Sequence, residues 1–421
     1  IPPRFVFPKV IQDSRNLLLG APFTEGKPST LLADFTRKVN ALELLDTKKK
    51  RLIEEAVDAL QTHVKPANEK LIACLQQMEK RADTRSGVWK LPNGNAFYAY
   101  ALKRTTSTDL TADEIHSIGY REVGRIQGEM QAIMAAVKFT GSLQAFFEFV
   151  RNDPQFIYPQ TEAGKRRYLN EATAIIDAIK PRLDELFTTQ PKVDLIVKPV
   201  EAYRESSAGI AFYSPSSIDG SRSGSYYANL YRMSDMPWYK MQALAYHEGI
   251  PGHHMQFAMT AEQENLPLFL KIESNTAHFE GWGLYAELLP KEIGLYQNPY
   301  SDFGRLAMEL WRAARLVVDT GIHAKHWTRE QAIDWLKANT PNPENEIIKG
   351  VERYIVMPAQ ATAYKIGMLK ILTLREQAKD QLGDKFDIRK YHDVVLKNGA
   401  LPLDVLNDLV NQWIAAETRR P

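Results

Sequence analysis

Apolar residues recur every three or four positions along most of the chain, which is the spacing of amphipathic helices. The stretch "ALELLDTKKKRLIEEAVDALQTHV" shows this spacing, and a second run continues from position 66 to about 78. Further helices are predicted over about 161–187, 302–327 and 360–382. The pattern therefore predicts a mostly α-helical protein.

Two capping boxes indicate where two further helices begin. Thr111 is followed three residues later by Glu114, ahead of an amphipathic run to about position 137. Thr328 and Gln331 make the same pattern before "AIDWLKAN". In such a box the two side chains satisfy backbone N–H groups that the first helical turn leaves unpaired. We therefore expect helices to begin directly after Thr111 and Thr328.

Strand-like patterns are confined to about 193–231, where "VDLIVKPV", "AGIAFYS" and "GSYYANLY" surround the turn-rich connector "SPSSIDGSRSG". The predicted fold class is mostly α, a large helical domain with one small sheet just before "HEGIPGHH". An edge of that sheet could pair with an extended peptide, or the sheet could simply cover the helical core. Both interpretations stay open at this stage.

The composition and charge of the chain limit its possible binding partners, but they do not identify its cellular compartment. The chain has 421 residues and a formal net charge of +2, a balance that argues against nucleic acid or an anionic membrane as partner. Cys74 is the only cysteine, so neither an intrachain disulfide nor a thiolate metal cluster can form. No run is apolar enough to cross a bilayer. The start "IPPRFVFPKV" lacks a Met and a signal pattern, which suggests a trimmed or mature product.

The segment "PWYKMQALAYHEGIPGHH" joins a helical pattern to a dense group of histidines. His247 offers a neutral imidazole ligand, and Glu248 can direct its carboxylate towards a water on the same metal ion, as zinc hydrolases require. The alternative is a helix that simply ends near Gly249, with histidines against its terminal carbonyl groups.

Pro251 leaves the identity of the second ligand open. The usual H-E-x-x-H helix carries its second His at the position that Pro251 occupies here. The proline ring collides with the carbonyl four residues back, so the helix must kink or bulge. A bulge that absorbs two residues would return His253 to the metal, whereas a continuous helix would favour His254. We favour His253 and keep His254 as the alternative.

A third ligand is expected in "NTAHFEGWGLYAELL". Glu280 lies among apolar positions there, and Gly281 and Gly283 are costly in a helix interior, which suggests that another backbone packs close by. A carboxylate on such a helix is expected to be paired rather than solvated. Glu287, two turns later, is the rival ligand.

Four segments of the chain together carry a family resemblance: "HEGIPGHHMQ", "EGWGLYAE", "RLVVDTGIHAKHWTREQAIDWL" and "RYIVMPAQATAYKIG". They resemble a large bacterial domain-of-unknown-function family whose members are often described as lipoproteins, with the pattern H-E-x-x-P-G-H-H followed by E-G-W-x-x-Y-x-E. That family is in turn similar to the helical gluzincin zinc metallopeptidases.

The resemblance implies His247, His253 and Glu280 as zinc ligands and Glu248 as general base. It covers the chain from about position 97, which divides it into an N-terminal helical segment, 1–95, and a metallopeptidase-like catalytic domain, 96–421. Because family members are usually longer at the N-terminus, part of the natural protein is expected to be missing. The lipoprotein descriptions imply the bacterial periplasm or cell envelope, with the cytoplasm left open.

Helical zinc peptidases commonly stabilise the oxyanion with a Tyr and a His. Tyr364 and His323 are the matching candidates, and His326 competes with His323. We expect five further residues to bind substrate, either through an edge strand or by holding a carboxylate: Tyr226, Tyr227, Asn229, Arg353 and Lys365.

These observations predict a zinc-dependent hydrolase of short peptides that uses metal-activated water and a Glu general base. One alternative is a metal-dependent amidase acting on a non-peptide amide. Another is a non-catalytic peptide-binding envelope protein on the same scaffold. The oligomeric state, the native metal and the choice between exo- and endo-cleavage do not follow from the sequence.

Overall fold

The structure, a computed structural model, describes residues 1–201, 204–206, 208–272 and 275–420. It is mostly helical with one small three-stranded sheet, as the periodicity predicts. The chain divides into two compact units, residues 1–86 and residues 87 onward. The boundary lies before the predicted position 95 because Val88 belongs to the larger unit, where its N–H donates to His323 Nδ1 at 3.2 Å.

The smaller unit is built around a few apolar contacts between its first and last helices. Phe7 and Ile11 pack with Ala82, and Asn68 donates to the Ser14 carbonyl at 2.7 Å. A π-helical turn, Leu60–Val64, joins the last two helices. The helices of this unit are α1 (Val6–Asn16), α2 (Thr30–Asn40), α3 (Asp46–Ala59) and α4 (Lys65–Arg81).

The larger unit holds the remaining helices, and many of their buried apolar residues form one large cluster. Both capping boxes are confirmed, because Thr111 and Thr328 are the N-cap residues of two helices, α6 (Ala112–Ala136) and α15 (Arg329–Asn339). Its helices are α5 (Gly94–Thr106), α6 (Ala112–Ala136), α7 (Leu143–Asn152), α8 (Glu162–Ile179), α9 (Trp238–Glu248), α10 (His253–Ala261), α11 (Leu268–Ile272), α12 (Thr276–Ala286), α13 (Leu289–Glu292), α14 (Pro299–Ala324), α15 (Arg329–Asn339), α16 (Glu344–Val356), α17 (Ala363–Leu382), α18 (Ile388–Leu396) and α19 (Leu403–Thr418).

The sheet lies where the alternating patterns predict it, just before α9. Its strands are β1 (Leu195–Pro199), β2 (Ala211–Ser214) and β3 (Gly224–Ala228), in the order β1–β3–β2. Strand β3 is parallel to β1 and antiparallel to β2. Because β3 is the central strand, its backbone groups are paired on both sides and cannot take up a peptide as a further strand.

Helices α12 and α17 cross with their backbones in contact. A Cβ added to Gly367 would lie 1.8 Å from the Ala277 carbonyl oxygen, and one added to Gly281 would lie 2.5 Å from the Gly367 backbone. The prediction that Gly281 marks a close approach of another backbone is therefore confirmed. The crossing brings the segment that follows Glu280 directly against the segment that follows Tyr364.

We expect Gly367→Ala to destabilise the protein by about 1–3 kcal/mol or more, because the added methyl group has to push two helix backbones apart. Gly124→Ala is the matched control, since Gly124 lies in helix α6 and a Cβ there meets nothing within 4 Å. The control should hold or raise stability, because Ala is the better helix former. Urea unfolding of both variants measures the difference, and equal effects would contradict the close crossing.

Candidate metal centre

The helix that carries His247 stops after Glu248, and a new helix begins at His253. The predicted bulge inside a continuous helix is therefore wrong, because four linking residues interrupt it completely. Gly252 allows this path, since a Cβ there would lie 2.0 Å from the His247 carbonyl oxygen. The indole of Trp282 holds the link by donating to the Pro251 carbonyl at 2.9 Å.

The break brings two imidazoles to one carboxylate. His247 Nε2 lies 3.8 Å and His253 Nε2 lies 3.5 Å from Glu280 Oε2. All three side chains are buried, and their ligand atoms lie within 4.8 Å of one another. Two donors at about 2.1 Å from a tetrahedral zinc ion are separated by about 3.4 Å. The donor set and its spacing therefore fit a zinc-sized ion with two nitrogen ligands and one oxygen ligand.

Glu287, the rival ligand, lies behind His247 rather than in the group. His247 Nδ1 is 2.8 Å from Glu287 Oε1, so the carboxylate orients the imidazole and directs Nε2 towards Glu280. Burial favours the neutral ring, but hydrogen bonding to Glu280 and Glu287 outweighs it and raises the pKa of His247 to about 9. A metal ion at Nε2 would have to displace that proton.

Gly283 provides the space that the two histidines occupy. A Cβ at this position would lie 2.8 Å from His253 Cε1 and 2.9 Å from His247 Cε1. The rings of His247 and His253 meet edge to face with centroids 4.7 Å apart. The stretch "EGWGLYAE" thus combines a candidate ligand, a helix crossing, an anchor for the link, a gap for two imidazoles and a carboxylate that orients one of them.

His254 faces away from this group. Its Nδ1 lies 3.1 Å from the Tyr213 hydroxyl and its Nε2 lies 3.0 Å from the Val193 carbonyl, so neither nitrogen is free for a metal. Gly224 leaves room for the contact, because a Cβ there would lie 2.6 Å from His254 Nδ1. The structure therefore groups His253, not His254, with His247 and Glu280. The role of His254 is to hold α10 against the sheet.

Glu248 is buried beside the three candidate ligands. Burial raises the pKa of its carboxyl group, against the opposing charges of His247 and His253. Glu280 shows the opposite balance: burial alone would raise its pKa, but hydrogen bonding to His247 and His253 holds it well below the usual range. The two carboxylates are therefore distinguished by their environments, one paired with imidazoles and one not.

Tyr364 lies at the same group, as the sequence predicts. Burial, together with the negative charge of Glu280, raises the pKa of its phenol to about 12. Gln360 Nε2 lies 3.5 Å from the Tyr364 hydroxyl. A neutral phenol beside a candidate ligand is available as a hydrogen-bond donor, the kind of group that can stabilise an oxyanion.

Two arginines at this site were missed by the sequence analysis. Arg312 and Arg315 lie one turn apart on α14, with their guanidinium carbons 5.8 Å and 4.7 Å from the centroid of the Tyr364 ring. The charge of Arg312 also lowers the pKa of Glu248, behind the effects of the nearer groups. The available signal was "LWRAARLVV", in which two cations interrupt an otherwise apolar helix.

His323 does not take the predicted place at the site. It is fully buried in the core, where Nδ1 accepts the Val88 N–H and Nε2 donates to the Tyr354 carbonyl at 3.0 Å. With both nitrogens bonded to backbone, it has none to offer an oxyanion. His326, its rival, is exposed and stacks on Trp89 with ring centroids 4.4 Å apart. Both histidines are structural by these contacts.

Lys365 is also a structural residue. It is fully buried and pairs with Glu309 at 2.6 Å and Glu122 at 3.0 Å, so its charge is neutralised inside the core. Arg353 lies on the exposed face of α16. Neither position supports the predicted binding of a substrate carboxylate.

The three predicted strand residues do not form an edge beside the site. Tyr226 is fully buried on the central strand, and Asn229 donates to the carbonyls of Glu205, Ala208 and Gly209. Tyr227 stacks on Phe212 with ring centroids 4.8 Å apart. Tyr226 and Asn229 therefore stabilise the sheet and its connector, and the expectation of an edge strand here is wrong.

The fold and site together define a helical protein with a buried His–His–Glu group. The chain belongs to the family described as "Bacterial protein of unknown function (DUF885)", whose model matches residues 1–410. Among solved structures, it is similar to "the putative lipoprotein from Colwellia psychrerythraea", with 36% identity and a TM-score of 0.94 over 99% of this chain and 71% of that one. A structure described as "a putative lipoprotein of unknown function from Shewanella oneidensis" shares the fold, with 20% identity and a TM-score of 0.72 over 97% and 73% of the two chains. No curated protein matches.

Across the described residues, no helix has both the length and the apolar character needed to span a bilayer.

We expect His253→Ala to lower zinc affinity by more than the roughly 10- to 100-fold that changes around a ligand typically cost. His254→Ala is the matched control, because it removes a neighbouring imidazole that bonds Tyr213 and Val193 instead. It should leave zinc affinity nearly unchanged while lowering the melting temperature. Zinc titration against a chromophoric chelator measures both affinities, and the reverse order would exclude His253 as ligand.

Lys365→Met should lower the free energy of unfolding by about 1.5–3 kcal/mol, because the buried Glu309 loses one charged hydrogen-bond partner while it keeps Arg125 and Arg305. Lys365 and Arg125 outweigh burial and lower the pKa of Glu309 to about 2 from 4.5, so this stabilisation is present above pH 4.5 and lost between 4.5 and about 2. Lys379→Met is the control, since Lys379 on the same helix pairs, among the described residues, only with the exposed Glu376. Urea unfolding at pH 7 should separate the two, and equal small effects would refute a structural role.

Proposed function

We propose that this protein is a zinc-dependent hydrolase that cleaves peptide bonds, most simply those of short peptides. The observation that carries the proposal is the convergence of His247, His253 and Glu280 on one point, with the carboxylate of Glu248 buried beside it. Two His and one Glu ligand with a further Glu nearby is the donor set of zinc hydrolases that keep one coordination position open. The family resemblance supports the same conclusion.

When bound, a zinc ion supplies Lewis acidity and makes water easier to deprotonate near neutral pH. The chain supplies the proton transfers. Glu248 takes the proton of the attacking water and returns it to the leaving amine. Its burial among imidazoles and cations keeps bulk water from competing for that proton.

The phenol of Tyr364 is the hydrogen-bond donor for the oxyanion in this proposal. It lies within the influence of Glu280 and is neutral at physiological pH. The second donor expected from the sequence, His323, is bonded to backbone on both sides and has no part in this proposal. Two cationic side chains of α14, Arg312 and Arg315, face the Tyr364 ring.

We also propose that the protein acts in the bacterial cell envelope, on peptides that reach that compartment. The support is the description of a similar solved structure, 36% identical, as "the putative lipoprotein from Colwellia psychrerythraea". The charge balance of the chain fits a small peptide better than a polyanion.

Glu248→Gln should retain zinc and lose at least about 100-fold in peptide cleavage, because it keeps the side-chain shape and removes the base. Glu264→Gln is the control: it makes the same isosteric change at an exposed position. Zinc content by elemental analysis and cleavage of a mixed peptide library by mass spectrometry are the two measurements. Zinc-loaded wild-type protein that cleaves no peptide, or a Glu248→Gln variant as active as wild type, would overturn the proposal.

A further inference from the structure

Buried cations in this protein are generally paired with a carboxylate, and two arginines of α14 depart from that rule. Arg312 is only 7% exposed, yet it forms no ion pair with any residue that the structure describes. Arg315, one turn later, is half-buried and likewise has no carboxylate partner in the described chain. The paired cations are Lys240 with Glu346 (3.5 Å), Arg305 with Asp302 (2.8 Å), Lys365 with Glu309 (2.6 Å) and Arg375 with Glu292 (2.9 Å).

The unpaired guanidinium groups keep hydrogen-bond donors to spare. Arg312 bonds within the chain through Nη1, to the Met308 carbonyl and sulfur, and its buried Nε has no partner among the described residues. The same holds for the buried Nε of Arg315 in the described part of the chain. A buried charge with unused donors is costly, so such a group is expected to have a ligand that completes it.

Both arginines lie beside the candidate metal centre. Their guanidinium groups face the ring of Tyr364, and the hydroxyl of that ring is under the influence of Glu280. His253 also contacts the half-buried Phe279 with ring centroids 4.9 Å apart, and Phe257 lies 5.7 Å from Phe279. Cations and aromatic rings therefore both lie close to the candidate metal centre.

We propose that Arg312 and Arg315 bind the C-terminal carboxylate of the substrate, so that the protein cleaves peptides close to their C-terminus. The inference rests on the proposed peptide hydrolysis for the identity of the ligand. A carboxylate matches the planar fork of an arginine through two parallel hydrogen bonds. Every unmodified peptide carries one at its C-terminus, whereas only some carry an acidic side chain.

Binding to a variant without the general base tests the inference without turnover. In zinc-loaded Glu248→Gln protein, calorimetry would compare Ala-Ala-Phe, its C-terminal amide, and the amide of Ala-Glu-Phe. We expect the free acid to bind about 10- to 100-fold more tightly than either amide, because only the acid offers a charged partner at the chain end. Tight binding of the Ala-Glu-Phe amide would instead assign the arginines to an acidic side chain and overturn the C-terminal assignment.

Substitution of the arginines provides a second test, in which the same peptides are bound to arginine variants. Arg315→Gln, in the same background, should abolish the difference between acid and amide by weakening the acid alone, and Arg312→Gln should do the same if it folds. Because Arg315 is only half-buried, we expect the Arg315→Gln variant to fold, so the test does not depend on Arg312→Gln. Arg353→Gln, at an exposed arginine of α16, should keep the full difference.

Equal weakening of acid and amide by Arg315→Gln would mean that the arginines only shape the site, and the inference would fail. Loss of discrimination in Arg353→Gln would move the carboxylate to the exposed arginine. The binding readout also separates this inference from the proposed function. If the free acid binds in an arginine-dependent way but the wild-type protein cleaves no peptide, the proposed hydrolase function is rejected and the carboxylate-binding site is retained.

Discussion

The break between Glu248 and His253 is the constraint on which the rest of the site depends. In a continuous helix the two histidines could not reach a common carboxylate, because six residues carry the second ring round the axis and about 9 Å along it. Ending one helix and starting another lets both Nε2 atoms approach Glu280. The indole of Trp282 and the missing side chain of Gly252 hold that path in place. Glu280 and Gly283 on α12, and Glu287 directly after that helix, then fit the pair of histidines that the break brings together.

Much of this arrangement could be predicted from the sequence. The correct predictions rest on interactions between residues that are close together in the chain. The capping boxes at Thr111 and Thr328, the short strands and the glycines of "EGWGLYAE" each express a rule that operates within a few residues. His253 could be preferred over His254 because Pro251 forbids a regular helix, even though the break itself replaces the expected bulge. The failures are nonlocal. Nothing near His323 or Lys365 in the chain shows that Val88, Tyr354 and Glu309 would occupy their polar atoms.

Arg312 and Arg315 could not be predicted as site residues either, because their lack of ion-pair partners is also a nonlocal property. On one helix, an arginine that pairs with a carboxylate and one that stays unpaired look identical in sequence, and only the packed neighbours distinguish them. Arg305 and Arg312 each follow an acidic residue by three positions, Asp302 and Glu309, but only Arg305 is paired with it, whereas Arg312 has Met308 and the ring of Tyr364 as its neighbours. Burial without a partner is therefore visible only once the tertiary contacts are known, although it is the property that indicates a ligand.

Tyr364 and Lys365 are adjacent on α17 and therefore point about 100° apart around its axis. The ammonium group on one side is held by Glu309 and Glu122, while the phenol on the other side meets Glu280 and the arginines. A rotation of α17 that improved the aim of the phenol would pull the ammonium group out of its pairs. The ion pairs in the core thus restrict rotation of the helix, so the orientation of a side chain in the candidate site is set by charges that lie outside it.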